Sequence, residues 1–242
     1  MIYKGMPRGS TFVTRSKVTH RQSIRSFFEN KVGIMSKSLK DLVYQFRVKL
    51  VGIEPMVWRR IQVPAKFSFW DFHVAIQDAM GWLDYHLHVY RVHQKYKRRP
   101  LEIGIPQDEW DCEVVMPGWQ VSISDYFSEP GQIMEYEYDF GDGWEHEILL
   151  EGILLKEKDV FYPRCIGGER ACPPEDCGGI SGYEQLLEII KNPHHPEYRD
   201  HIAWLKGHAK NYYPYDPEQF SLQNIKFDNP QKRWNLAFKS TA

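Results

Sequence analysis

Histidine and aspartate residues that could form a metal site or an acid–base site are concentrated in two short segments of the sequence. His86 and His88 are two positions apart in a segment with strand character, so both rings are expected on one face of that strand. Asp139 and His146 flank a predicted hairpin turn and could converge with them. Imidazole and carboxylate groups bind divalent cations or exchange protons with a substrate. The alternative interpretation is a polar strand face with hydrogen-bonded imidazoles, because no third ligand is evident from the sequence.

Three cysteines, Cys165, Cys172 and Cys177, lie in one loop that is rich in proline and glycine. Thiolates bind zinc well, and a metal ion would stabilise a loop with little secondary structure. Their spacing, with six and four intervening residues, differs from the paired two-residue spacing of strong zinc motifs. Zinc is therefore one hypothesis, and buried packing thiols or a disulfide are the alternatives. The candidates for a fourth ligand are Cys112, His194, His195 and His208.

Basic residues suggest contact with nucleic acid at two places. Arg59 and Arg60 follow Trp58 in a predicted strand, and arginine beside an aromatic ring suits phosphate contact and base stacking. The same pattern also suits cation–π packing inside a protein, which is the more frequent role of such a pair. The second place is a basic stretch that contains Lys95, Lys97, Arg98 and Arg99.

The net charge of −1 is unevenly distributed along the 242 residues. Residues 1–40 contain nine Lys or Arg and a single acid, Glu29, so they carry +8 and the remainder carries −9. A basic arm of this kind could contact nucleic acid or the acidic surface of the protein itself. The arm lacks clear apolar periodicity, so it is expected to be disordered, or to lie outside the native protein if Met35 is the initiator.

Composition excludes several classes of protein. The apolar share of 42% and the charged share of 26% are those of a globular chain. No segment approaches the roughly 18 apolar residues of a membrane span, and the N-terminus lacks the apolar core of a secretory signal. Four cysteines do not make a disulfide framework in a chain of this length, so a reducing, cytoplasmic setting is expected. Nucleophile-elbow, P-loop and dinucleotide-binding motifs are also missing from the sequence.

Alternating apolar and polar residues predict several strands, which would position these candidates. The Asp142–Gly143 pair predicts a tight hairpin turn between two of them. The segments concerned begin near residue 42 and include Val57–Val63, His86–Val92, Ile133–Phe140 and Trp144–Leu150.

Helix signals occur at four places. Ser68 and Asp71 have the spacing of a capping box, apolar residues recur every three or four positions up to Met80, and Gly81 suits the helix end. Ser181 and Glu184 predict a second capping box. Further helices are predicted at 196–205 and from Asp216–Pro217–Glu218. Because strands precede most of the helices, the pattern favours an α+β core over residues 41–228, with a C-terminal tail at 229–242.

Several blocks of the sequence carry a family resemblance, namely 53–60, 79–82, 86–88, 136–146, 162–165 and 171–179. On these blocks, the chain from about residue 42 to 228 resembles the Ri-plasmid ORF three-like family, also described as an insertion-element passenger protein family. The resemblance implies an α+β roll with a mixed, largely antiparallel sheet and helices packed on one face. The family's older description suggests a resolvase, but no block here resembles a serine recombinase site, so recombinase activity is not expected.

The predicted function is a non-enzymatic interaction module linked to a mobile element or a nucleic-acid process, with a nucleic-acid or protein partner. This prediction depends on the basic arm and on the lack of an assembled catalytic motif. One alternative is a hydrolase-like or metal-dependent enzyme that uses a His/Asp cleft. The other alternative is a zinc-stabilised structural domain.

Overall fold

The computed structural model describes residues 38–94, 96–106 and 115–239. Within these ranges, eight strands form one open sheet, and four α-helices accompany it. The strands are Leu42–Leu50 (β1), Trp58–Pro64 (β2), His88–Val92 (β3), Leu101–Gly104 (β4), Met116–Pro117 (β5), Ile133–Tyr138 (β6), Trp144–Leu155 (β7) and Arg164–Glu169 (β8). The helices are Phe69–Met80 (α1), Gly179–Lys191 (α2), Tyr198–Gly207 (α3) and Pro230–Lys239 (α4).

The strand order in the sheet is β5-β4-β3-β6-β7-β1-β2-β8. Every pair of neighbours is antiparallel except β4 and β5, which run parallel. The predicted α+β fold with a mixed, largely antiparallel sheet is therefore confirmed. None of the helices in the described part of the chain is long and apolar enough to cross a membrane.

One face of the sheet forms the hydrophobic core, as the alternation in β1 predicts. Phe46, Val48 and Leu50 are buried, whereas the intervening Arg47 and Lys49 remain partly exposed on the opposite face. Helix α1 covers the apolar face. The Phe46 ring lies 4.6 Å from the ring of Phe72 on this helix, and burial of each such ring contributes roughly 1.5–3 kcal/mol to stability.

Helix α1 begins and ends where the sequence predicts. The Ser68 hydroxyl accepts a hydrogen bond from the Asp71 amide at 3.1 Å, and the Asp71 carboxylate accepts one from the Ser68 amide at 3.0 Å. Gly81 terminates the helix at a φ of 92°, which a glycine adopts without strain. The capping box at this position is confirmed, and it fixes the helix that covers the core.

The segment 229–242, predicted as a tail, contains helix α4. Arg233 on this helix contacts Asp78 at 2.7 Å and Asp84 at 3.3 Å, and it also pairs with Asp228 at 2.6 Å. The Trp234 ring packs against that of Trp70 at 5.4 Å on the outer side of α1. Apolar burial and ion pairs together therefore hold this helix on α1.

Two helix predictions are wrong in detail. Helix α2 begins at Gly179, so Ser181 lies inside the helix instead of capping it. An added Cβ at Gly179 would lie 2.4 Å from the carbonyl oxygen of Asp142, so only glycine allows this close approach at the helix start. Asp216–Pro217–Glu218 forms a turn, because the Asp216 carboxylate accepts a hydrogen bond from the Glu218 amide at 3.0 Å and competes with a helix.

The hairpin of β6 and β7 is confirmed, but its loop is longer than the tight turn predicted at Asp142–Gly143. Tyr138 pairs with Trp144, which leaves a five-residue loop at 139–143. Asp139 opens the loop in the left-handed conformation at a φ of 57°. Phe140, where the sequence predicts the strand to end, is 50% exposed, because the chain has left the strand after Tyr138.

Candidate metal centre

Three side chains from distant parts of the sequence meet at one edge of the core. His86 precedes β3, Asp139 opens the β6–β7 loop, and Asp176 lies in the loop between β8 and α2. The His86 Nε2 atom lies 2.8 Å from Asp176 Oδ1 and 3.5 Å from Asp139 Oδ2. One ligand atom from each residue lies within 4.8 Å of the other two, and no other set of three His, Cys, Asp or Glu residues among those described meets this condition.

The turn conformation of Asp139 directs one carboxylate oxygen toward His86. Its Oδ1 atom accepts hydrogen bonds from the amides of Gly141 at 3.0 Å and Asp142 at 3.3 Å. Its own amide donates to the Leu87 carbonyl at 2.9 Å, which ties the loop to the segment that carries His86. Since Oδ1 is occupied by the turn, Oδ2 is the oxygen that remains for a cation.

Glu175 anchors the loop that carries Asp176. Its side chain is buried and accepts hydrogen bonds from the Tyr138 hydroxyl and, at 2.7 Å, from the Leu83 amide. Its own amide donates to the Tyr212 hydroxyl at 3.2 Å. Three separate segments thereby hold the residue next to Asp176, so the position of the Asp176 carboxylate depends on the core.

His208 approaches the same carboxylate from the end of α3. Its Nε2 atom lies 3.7 Å from Asp176 Oδ2, whereas His86 contacts the other carboxylate oxygen, Oδ1. Its ring packs against the ring of Tyr212 at 4.9 Å. His208 is therefore placed to orient Asp176.

An open cleft of about 290 Å³ adjoins Asp176. It lies between the start of α2 and helix α3, so both helices contribute side chains to its walls. Its polar lining includes a carboxylate and an imidazole from α3, and its apolar lining includes an indole and a leucine side chain. The lining residues are Asp176, Cys177, Gly182, Leu186, Asp200, His201 and Trp204.

The three donors fit a small divalent cation. Zinc is bound by imidazole nitrogen and carboxylate oxygen at roughly 2.0–2.2 Å, which places tetrahedral ligands roughly 3.3–3.6 Å from one another. The separation between His86 Nε2 and Asp139 Oδ2, 3.5 Å, already falls in that range. The 2.8 Å contact between His86 and Asp176 is a hydrogen bond that a cation would replace. Three protein donors would leave at least one coordination position for water or a partner.

His88 and His146 do not join this centre. The prediction that His86 and His88 share a strand face is wrong, because β3 begins at His88 and His86 lies before it. The His88 ring is buried and stacks on the His73 ring at 3.5 Å. Its pKa is well below the usual value, mainly because of burial and to a lesser extent because of the charge of His73. His146 is also buried, packs edge-on against Trp82, and has a pKa lowered to about 4 by burial.

The three loop cysteines do not converge on a metal position within the described part of the chain. The Cys165 thiol donates to the Gly167 carbonyl at 3.2 Å. Cys172 is buried, which raises the pKa of its thiol to about 12, and burial likewise raises the pKa of Cys177. Their surroundings are those of packing thiols. Cys112, one candidate for the fourth ligand, lies outside the described residues.

The arginines predicted to contact nucleic acid occupy different environments. Arg59 is only 3% exposed and bonds to main-chain carbonyls, so it cannot reach an extended phosphate backbone. Arg60 is partly exposed but forms a bidentate pair with Glu151 at 2.6 and 2.8 Å. In the second stretch, Lys97, Arg98 and Arg99 are exposed, and Lys95 lies outside the described residues.

Asp176 is the residue of the centre that sequence reasoning missed. It lies in the same loop as the three cysteines, and the adjacent Glu175 gives no sign in the sequence that it is buried. The only available signal is that the block 171–179 and the block at His86 both belong to the family resemblance. Pairing a carboxylate of the first block with the imidazole of the second could have identified the centre.

Comparison with known proteins places the chain in a family. The family model for plasmid pRiA4b ORF-3-like protein matches residues 42–224. The uncharacterized protein y4hQ of Sinorhizobium fredii is 31% identical over 193 residues, which cover 79% of this chain and 94% of that protein. The crystal structure of MM3350 from Methanosarcina mazei, a protein of unknown function, is similar with a TM-score of 0.67 and 38% identity, covering 77% of this chain and 98% of that one. These relatives establish no activity, but the extent of the match shows that the chain belongs to the plasmid pRiA4b ORF-3-like family.

Proposed function

We propose that this protein is an interaction module built around a divalent-cation site formed by His86, Asp139 and Asp176. The observation that carries this proposal is the convergence of one imidazole and two carboxylates, with their ligand atoms within 4.8 Å, beside an open cleft. One nitrogen and two oxygen donors suit Zn²⁺ or Mn²⁺ better than a purely oxygen-binding cation such as Ca²⁺.

The bound cation would complete its coordination with an oxygen atom of the partner. Asp176 contributes to the centre and also lines the cleft, so a partner group that enters the cleft comes within reach of the cation. A phosphate or carboxylate oxygen is the group that such a cation takes most readily. The exposed Lys97 and Arg98, together with the basic arm at 1–40, support a partner that carries phosphate, as a nucleic acid does.

A metal-dependent hydrolase is a second candidate. The observation that favours it is that Asp200 and His201, two groups capable of proton transfer, line the same cleft as Asp176. A divalent cation at the centre would supply Lewis acidity and a water of lowered pKa. In that case His201 or Asp200 would accept a proton from the attacking water, while the aromatic Trp204 and Leu186 would shield the substrate.

Calorimetric titration of the chelator-treated full chain with Zn²⁺ and with Mn²⁺ tests the proposal. We expect one site per chain, and we expect Asp176→Asn to weaken binding by about tenfold or more, because a neutral amide is a poor metal ligand. Asp176 is half exposed, so the variant should fold normally. Glu184→Gln, which removes an exposed carboxylate from α2, is the matched control.

Two results would count against a cation site. One is the absence of saturable binding by either metal. The other is an equal affinity of the Asp176→Asn and Glu184→Gln variants. Hydrolysis of a phosphate ester that requires the metal and is lost in His201→Gln would select the enzymatic candidate over simple binding.

A further inference from the structure

A second cleft, separate from the metal centre, lies at the C-terminal end of helix α1. It has a volume of about 430 Å³, a size that suits a small molecule. Its lining combines Arg59 of β2 with Lys210 and with aromatic side chains of the segment that follows α3, among them Tyr213 and Phe220. The cleft therefore brings two cationic groups and several flat rings together.

Arg59 is a buried cation that has no counter-ion in the described part of the chain. It is 3% exposed, and its hydrogen bonds go to three main-chain carbonyls, those of Trp58, Ala79 and Glu169, at 2.8–2.9 Å. Within the described part of the chain, Arg59 forms no ion pair with an acidic side chain. Its Nη2 atom donates no hydrogen bond to any described residue. The guanidinium lies over the Phe220 ring at 4.5 Å. Because an unpaired buried charge is costly, this arrangement points to an anion that binds beside it.

Lys210 adds a second positive charge to the same cleft. Its ammonium lies against Gly81, since an added Cβ at that glycine would be 2.9 Å from Lys210 Nζ. It forms no ion pair within the described ranges, and partial burial lowers its pKa. The two acids of the lining have other partners: Asp78 pairs with Arg233, and Asp216 accepts a hydrogen bond from the Glu218 amide. Glu175 and Asp78 lie near enough to Lys210 to favour its charged form, but neither forms a direct ion pair with it, so the ammonium remains available to an anion in the cleft.

We propose that this cleft binds a small aromatic anion, with its carboxylate or phosphate group between Arg59 and Lys210. The Nη2 group of Arg59 offers the two N–H donors that the main-chain carbonyls leave free, and the Lys210 ammonium offers donors on a flexible side chain, a combination that suits either oxyanion. The flat part of the ligand packs against the tyrosine and phenylalanine side chains of the lining. This site is independent of the metal centre and requires no cation.

Titration of the full chain in the presence of EDTA, with tryptophan fluorescence and calorimetry as readouts, tests the inference. The probes are phenyl phosphate, benzoate, inorganic phosphate and the uncharged benzyl alcohol. We expect saturable binding of at least one aromatic anion and much weaker binding of the alcohol. A preference for phenyl phosphate over benzoate identifies a phosphate ligand, and the reverse preference identifies a carboxylate ligand.

Lys210→Gln and Lys191→Gln form a matched pair of variants. Each removes one lysine charge, but Lys191 is exposed at the end of helix α2 and does not line the cleft. We expect Lys210→Gln to weaken anion binding by about tenfold or more, the effect of losing one charged hydrogen bond. Lys191→Gln should change it by less than about twofold. Equal affinity of the two variants, or failure of every anion to saturate, would overturn the inference.

Discussion

Replacement of Glu175 perturbs the anchor that positions Asp176. Its carboxylate is buried and accepts hydrogen bonds from the Tyr138 hydroxyl and the Leu83 amide. A hydrogen bond to a charged acceptor contributes about 1.5–3 kcal/mol, and a neutral one contributes about 0.5–1.5 kcal/mol. Glu175→Gln keeps the shape but leaves one acceptor oxygen, so when that oxygen accepts from the Leu83 amide the new NH2 group faces the Tyr138 hydroxyl, which can no longer donate to it. The loss of the charge and of this acceptor should lower the free energy of unfolding by about 2 kcal/mol.

Glu175→Ala is a more severe change at the same position. It leaves the Leu83 amide and the Tyr138 hydroxyl buried without an acceptor, at a cost of about 1–3 kcal/mol each. The expected loss is therefore about 2–6 kcal/mol. For a chain of this size, Tm falls by about 2–4 °C for each kcal/mol, so Glu175→Gln should lower Tm by about 4–8 °C.

Urea denaturation and thermal unfolding measure these changes, with Glu184→Gln as the exposed control. The two Glu175 variants should lose stability in the order Gln then Ala, and both should bind metal more weakly because Asp176 is adjacent. The reasoning is refuted if both variants unfold within about 0.5 kcal/mol of the native chain, the range typical of neutral surface substitutions.

Three further outcomes are expected. Glu145 and Glu137 face each other across β6 and β7, so Glu145→Gln should raise the free energy of unfolding by about 0.2–1 kcal/mol in urea titrations; destabilisation would contradict a like-charge repulsion. The pKa of His146 is lowered from 6.5 to about 4, so the unfolded chain takes up the proton first. The neutral, buried His146 therefore contributes about 3 kcal/mol to the free energy of unfolding above pH 6.5, and this contribution is lost as the pH falls toward 4. Denaturant titrations between pH 6.5 and 4 should therefore show a weaker pH dependence of the free energy of unfolding for His146→Phe than for the native chain. The same pH dependence in both would contradict a lowered pKa for His146. Finally, fluorescence anisotropy should show tighter DNA binding by the full chain than by a chain that begins at Met35, with a steeper salt dependence; equal binding would remove the arm as a phosphate contact.

Local signals predicted the elements that depend on short-range physics. The alternation in β1, the capping box at Ser68 and the terminal Gly81 all appear in the structure, because each is determined by residues within a few positions of one another. The β6–β7 pairing was also predictable. The length of its loop was not predictable. The sequence pattern continues the strand to Phe140, but the chain leaves the strand at Asp139, which adopts the left-handed conformation.

The centre itself required long-range information. His86 and Asp139 were both among the predicted site residues, but His88 was grouped with His86 on the assumption that one strand contains both. Asp176 is brought to them by its neighbour Glu175, which bonds to Leu83 and Tyr138. These two residues are 92 and 37 positions away from Glu175 in the sequence. Such contacts leave no periodic pattern in a single sequence. Burial of Arg59 was unforeseen for the same reason, because a basic residue in an alternating strand is usually solvated.

The most direct measurement of the central claim is anomalous diffraction from crystals of the full chain grown with Mn²⁺ or Zn²⁺. The structure predicts one anomalous peak between His86 Nε2, Asp139 Oδ2 and Asp176 Oδ1, at roughly 2.0–2.2 Å from each ligand atom. Crystals of the Asp176→Asn variant grown at the same metal concentration should show a weaker peak at this position. A peak at Cys165, Cys172 and Cys177 instead would contradict the assignment of this centre. So would a metal ion at full occupancy in another position that is not a crystal contact.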